Sequence, residues 1–292
     1  MQISVFADTG IRLTDVVWTG SRFLYVENTT NTVWAAGPSG APLERFASMP
    51  NVVEETRCRL SPGTHGFPPG VLFCHAPDNT IYRIAGDGTV SVFATLPEQA
   101  TSDGGLTFDT VGKLGYALVA ATGRSGAPTP AGGAVYAISA AGAVRLVGSY
   151  PGPGGAEEIA VLPSHFGVHA GELALTVDAG EHGTIVVMDA QGRARVVASL
   201  PDGPNPIAVV APARQRAGVV RPGLYVVDTA SHDVFFASAA QLAPYVGDVI
   251  VGSEVKGFFW VMRPQGRRIQ TLRLPTTLPA QTYNFEGATY VR

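Results

Sequence analysis

The sequence is poor in the features that mark membrane, nucleic-acid-binding or disulfide-framework proteins. Charged residues make up only 15% of its 292 positions, and 20 Lys and Arg against 23 Asp and Glu leave a net charge of −3. Without a basic excess the chain lacks the electrostatic footprint that phosphate backbones select, so no nucleic-acid partner is expected. No apolar run reaches the ~20 residues of a spanning helix, and no membrane partner is expected either. Met1 to Gly10 lacks the charged and apolar regions of a signal peptide, which fits a cytoplasmic chain or a mature secreted form. Only two cysteines occur, Cys58 and Cys74. They fall on strands expected to be neighbours, yet two strand-centre residues rarely meet disulfide geometry, so reduced, buried thiols are expected. Helical periodicity is scarce throughout. Neither a G-x-S-x-G nucleophile elbow nor a P-loop is present.

What the chain does have is 46% hydrophobic residues, 35 Gly and 22 Pro, a composition for many short strands and turns. The strands recur in a fixed order. Gly70 to Leu96 reads GVLFCHAPDNTIYRIAGDGTVSVFATL, and Gly171 to Leu200 reads GELALTVDAGEHGTIVVMDAQGRARVVASL. Ser21 to Met49 follows the same plan. Each is an apolar strand, a polar turn, a second apolar strand, a Gly-containing turn and a third strand. One more strand precedes each block and begins polar: TDVVW at Thr14, EETRC at Glu54, EEIAV at Glu157. Four strands in about fifty residues is the signature of a propeller blade.

Six such units span residues 1–292, which predicts one all-β domain, a six-bladed β-propeller with four antiparallel strands per blade. GLYVVDTASHDVFF lies over GDVIVGSEVKGFFW without a gap, so these segments are assigned to the fifth and sixth blades in chain order. MQISVFAD at the start resembles the outer strand VSVFATL at Val90, and NFEGATYV near the end resembles an innermost strand. Met1 to Asp8 is therefore expected to complete the blade that contains Gly257 to Leu274. Such a ring needs no partner to cover its edges, and a monomer is expected.

Blade topology brings the starts of all innermost strands and the ends of all second strands to one mouth of the channel. The starts are Asp15, Glu54 or Glu55, Asp103, Glu157 or Glu158, Asn205 and Glu286; His75 ends a second strand. Carboxylates held that close must protonate, admit water or share a cation. Oxygen donors with one amide suit a hard ion, Ca²⁺ first. Strand alternation lets one residue of each Glu pair face inward, and Glu54, Glu157, Asn205 and Glu286 are the expected ligands. His75 and Asp103 are the candidates for moving a proton. The insert Thr122 to Gly133 lies on the same face as a candidate lid.

The segments DGGLTFD…GKLGYALVA, EEIAVLP…GELALTVDAG and NPIAVVA…GLYVVDTA resemble the six-bladed propellers of the SMP-30/gluconolactonase and NHL-like superfamily. That resemblance implies a divalent metal at the channel mouth, held by Glu, Asn and Asp of innermost strands. It implies a metal-dependent, lactonase-like hydrolase acting on a small molecule. A non-enzymatic ligand- or protein-binding propeller is the alternative, and a lyase or isomerase using the same metal is a third.

Overall fold

The computed structural model describes every residue except 51–54, 98–103, 124–131, 153, 180–181, 213–219 and 280–281. Its first strand, β1 (Ser4–Asp8), belongs to the last blade. Blade one is β2 (Leu13–Trp18), β3 (Phe23–Glu27), β4 (Thr32–Ala36) and β5 (Leu43–Ser48). Blade two is β6 (Arg57–Leu60), β7 (Leu72–His75), β8 (Thr80–Ile84) and β9 (Val90–Thr95). Blade three comprises β10 (Leu106–Phe108), β11 (Leu118–Thr122), β12 (Gly133–Ile138) and β13 (Val144–Tyr150). Blade four comprises β14 (Gly155–Val161), β15 (Leu173–Asp178), β16 (Gly183–Met188) and β17 (Ala194–Leu200). All are antiparallel meanders, and the six-bladed, four-stranded architecture is the one that the repeat predicts.

Blades five and six depart from chain order. After β18 (Pro204–Val209) the chain crosses to blade six and makes the hairpin β19 (Gly223–Asp228) and β20 (Asp233–Ser238). It then returns through the short helix α1 (Ala239–Leu242) to blade five. There β21 (Val249–Ser253), β22 (Phe259–Gln265) and β23 (Arg268–Leu274) extend β18, while β24 (Phe285–Val291) supplies the innermost strand of blade six. The sheet order of that last blade is β24-β19-β20-β1. The expectation that Met1 to Asp8 joins the blade of Gly257 to Leu274 is thus corrected: β1 pairs with β20, Ser4 opposite Phe236 and Asp8 opposite Asp233. Both ends of the chain stitch the same blade. The two hairpins look alike in sequence, and nothing local to a hairpin says which innermost strand it will pair with.

Hydrophobic residues collect in six layers, one between each pair of neighbouring blades. Blades one and two enclose Val17, Leu24, Cys58 and Cys74, for example, while blades six and one enclose Leu13, Phe23, Tyr25, Tyr225 and Phe236. Alternation along each strand sends successive side chains to opposite neighbours, so every blade is glued on both faces. Each fully buried Phe or Leu contributes about 1.5–3 kcal/mol.

The two cysteines form a disulfide, with S–S 2.08 Å, which corrects the expectation of free thiols. The register explains it: Cys58 on β6 stands directly opposite Cys74 on β7, with Cα atoms 4.1 Å apart. Directly opposed residues bring their side chains closest in an antiparallel ladder.

Candidate functional site at the channel mouth

Four of the innermost strands carry an extra residue where they enter the mouth. The register slips between Leu13 and Asp15, between Ala156 and Glu158, between Pro204 and Ile207, and around Glu286 and Gly287 on β24. A bulge breaks the two-residue alternation and re-aims side chains. Its consequence is plainest on β14, where Glu157 and Glu158 both reach the channel centre although strict alternation would admit one. Gly287 belongs to the same device. A Cβ there would lie 2.4 Å from Asp15 Oδ1 and 2.5 Å from its Cα, so no other residue fits between β24 and β2.

At the centre stands Arg57, the first residue of β6, with its side chain fully buried. Its Nη2 lies 2.9 Å from Glu55 Oε2, 2.8 Å from Glu286 Oε2 and 3.7 Å from Glu157 Oε2. Its Nε lies 3.7 Å from Glu158 Oε1, and its Nη1 donates to the Thr14 carbonyl at 2.5 Å. Burial opposes the charge on this guanidinium, but the carboxylates of Glu55, Glu286, Glu158 and Glu157 outweigh it and hold Arg57 above the ordinary arginine range. One turn of the pleat further along, Arg59 bridges Asp15 Oδ2 at 2.9 Å and Glu158 Oε2 at 2.6 Å. Burial pushes the Asp15 carboxyl up to about 6, with Arg59 pulling against it. Asn205 donates from Nδ2 to Glu286 Oε2 at 2.9 Å, and Asn284 donates to Glu286 Oε1 at 3.0 Å.

Of the residues expected at the site, Glu157, Asn205 and Glu286 therefore meet around one point. Glu54 and Asp103 lie outside the described residues, as does 124–131 of the candidate lid; Glu55 is the described member of its pair. His75 stands in register with Arg57 at the end of β7 but is buried. Its ring packs on Gly104, where a Cβ would come within 2.6 Å of Cε1. Burial pushes the imidazole down to about 4, so it is a neutral packing group around neutral pH and a poor general base.

Arg57 and Arg59 are what reading the sequence for ligands misses. The signal is present in EETRCR, where basic residues alternate with the cysteine on a strand otherwise predicted to line the channel. The carboxylates need cations to share, and the chain carries two of its own.

On the rim, a second group of carboxylates lies beside a cavity of about 680 Å³ lined by Asp178, His182, Asp202, Glu254 and Lys256. Gly203 separates Asp178 from Glu254: a Cβ there would lie 2.7 Å from Asp178 Oδ1 and 2.9 Å from Glu254 Oε2. Burial first, then the carboxylates of Asp178 and Glu55, hold the Glu254 carboxyl up at about 7 against the pull of Arg57. Asp202 accepts a bond from the Ser253 hydroxyl, and Lys256 turns its Nζ to the Pro201 carbonyl at 3.0 Å. An adjoining, more apolar cavity of about 440 Å³ shares His182 and Pro201 and is walled by Val177, Ala179 and Leu200.

No protein-family model matches this chain, and no curated protein matches it. Its backbone is similar to the crystal structure of a glucose dehydrogenase, with a TM-score of 0.65 and 9% identity, covering 100% of this chain and 99% of that one. TolB from Acinetobacter baumannii is a looser match, with a TM-score of 0.49, 14% identity, and 94% and 57% of the two chains covered. At 9% identity the likeness to the glucose dehydrogenase establishes the fold and carries no chemistry.

Proposed function

We propose that this propeller binds a small organic cation, an ammonium group with an apolar body, at the rim of its acidic mouth. The observation that carries this reading is the Asp178–Glu254 pair meeting over Gly203 beside an open cavity. Glu254 is held at about 7 there because burial and like charge outweigh the nearest guanidinium. An ammonium placed between the two carboxylates relieves that repulsion, and the wall of Val177, Ala179 and Leu200 takes the apolar body. Arg57 then serves as a fixed internal counter-ion that holds the central carboxylates in place. The test is a titration with n-butylammonium, with n-butyrate as control. Binding of the amine alone, weakened at least about tenfold in Glu254→Gln, supports the reading. Equal binding of butyrate, or no effect of the substitution, removes it.

A second reading keeps the metal-dependent, lactonase-like hydrolase suggested by the motifs. It is favoured by one feature: Glu55, Glu157 and Glu286 bring carboxylate oxygens within 4.8 Å of one another, and Asn205 Oδ1 is buried beside them without a hydrogen-bond partner among the described residues. The fit is opposed by Arg57, whose Nη2 already lies within 3.7 Å of an oxygen of all three. These residues accept an ion only once the guanidinium has moved away. Glu55, Glu157, Glu286 and Asn205 would then hold Ca²⁺, which supplies Lewis-acid polarisation of an ester carbonyl. Melting with Ca²⁺ and with chelator decides between the readings. A rise with Ca²⁺ that is lost in Glu157→Gln supports the metal; identical curves remove it.

A further inference from the structure

The rim cavity of about 680 Å³ holds charges of both signs, and they do not neutralise one another. Lys256 lines it together with Asp178, Asp202 and Glu254, yet Lys256 makes no ion pair among the described residues. Its Nζ donates instead to the Pro201 carbonyl at 3.0 Å, and its backbone N–H donates to the Ser253 hydroxyl at 3.0 Å. An ammonium has three N–H donors, so two remain on an exposed side chain.

One backbone segment sets the distance between the two poles. The carboxylates of Asp178 and Glu254 meet over Gly203, and the Glu254 N–H donates to the Gly203 carbonyl at 2.9 Å. The Lys256 ammonium is fixed on Pro201, two residues earlier, and two residues span at most about 7 Å. With a hydrogen bond of about 2.8 Å at each pole, that span suits an ammonium and a carboxylate borne on one carbon or on neighbouring carbons. Asp202, between the poles, is buried and turned to the Ser253 hydroxyl. The wall beside the poles is apolar and accessible: Ala179 and Pro201 are exposed, and Val255 partly so.

We propose that the ligand of the rim site is a zwitterion, an amino acid with an apolar side chain. This rests on the ammonium reading above and adds a second pole to it. The ammonium sits between Asp178 and Glu254, the carboxylate accepts from Lys256, and the side chain lies along Ala179, Pro201 and Val255. A bare amine meets Lys256 as a like charge. A zwitterion turns that repulsion into a charge-assisted hydrogen bond.

The experiment is a calorimetric titration of the full-length protein with leucine, 3-methylbutylammonium and 4-methylpentanoate, which share one branched body and differ only in their charged groups. Leucine is expected to bind at least about tenfold more tightly than the amine, and the carboxylate more weakly than either. Lys256→Met is expected to bring leucine down to the affinity of the amine, and Lys256→Glu to reverse the preference so that the amine binds better. Glu254→Gln is expected to weaken leucine and the amine together. If the amine binds and leucine binds no more tightly, or if both Lys256 variants keep the parent's preference for leucine, the zwitterion is overturned while the ammonium reading stands. If neither leucine nor the amine binds, or if 4-methylpentanoate binds as well as leucine, the ammonium reading falls and the zwitterion with it.

Discussion

Arg57 Nη2 stands 2.8 Å from Glu286 Oε2, joining residues 229 positions apart and tying the second blade to the strand that closes the ring. Both side chains are buried. Removing one partner of such a pair strands the other charge away from water, at a cost of about 3–5 kcal/mol. Arg57→Met is therefore expected to lower the free energy of unfolding by that amount in urea titrations. Arg57→Lys should restore little of it, because a point-like ammonium cannot reach Glu55, Glu286 and the Thr14 carbonyl together.

Glu254 predicts a pH dependence of defined sign. Its carboxyl rises from an ordinary 4.5 to about 7 in the folded protein. Between those values the folded chain holds a proton that the unfolded chain has lost, so stability falls as pH rises through about 7. Glu254→Gln should flatten that part of the profile, gaining on the order of 2 kcal/mol relative to the parent above it. Thermal melts of both proteins from acid to mild alkali make the comparison. An unchanged slope would mean that Glu254 is not the group responsible.

The affinity for n-butylammonium should rise over the same interval, since the amine stays protonated as lysine does while Glu254 ionises. Calorimetric titration on either side of neutrality measures this. In Glu254→Gln the rise should vanish.

His75 is expected to remain neutral above about pH 5. Burial holds it at about 4, so its ring-proton resonances should stay flat between about pH 5 and pH 8, unlike those of an ordinary histidine. A titration midpoint near 6.5 would show that its ring is accessible and would return it to the list of acid–base candidates.

The disulfide closes a short loop, Cys74 lying 16 positions after Cys58. A loop of that size confers about 3 kcal/mol. Non-reducing peptide mapping should recover the two cysteine peptides joined. The double variant Cys58→Ser, Cys74→Ser should then unfold at lower urea by about that margin.

Local pattern alone determined the architecture. Turn residues, two-residue alternation and a period of about fifty residues are properties of neighbouring positions, and six repeats of four strands admit few arrangements. The acidic character of the mouth was legible too, because Glu157, Asn205 and Glu286 each open a strand that topology must bring to the axis. What only the tertiary structure decided is how distant segments meet. The exchange of hairpins between blades five and six, with β1 on β20, depends on pairings that look equally good in sequence. The Cys58–Cys74 bond depended on a register that composition does not reveal. The bulges that let Glu157 and Glu158 both turn inward arise from the ladder, and strict alternation hides them. Arg57 as the counter-ion of the ring follows from packing: a long side chain from one blade reaches carboxylates on two others, and spacing along the chain does not encode that distance.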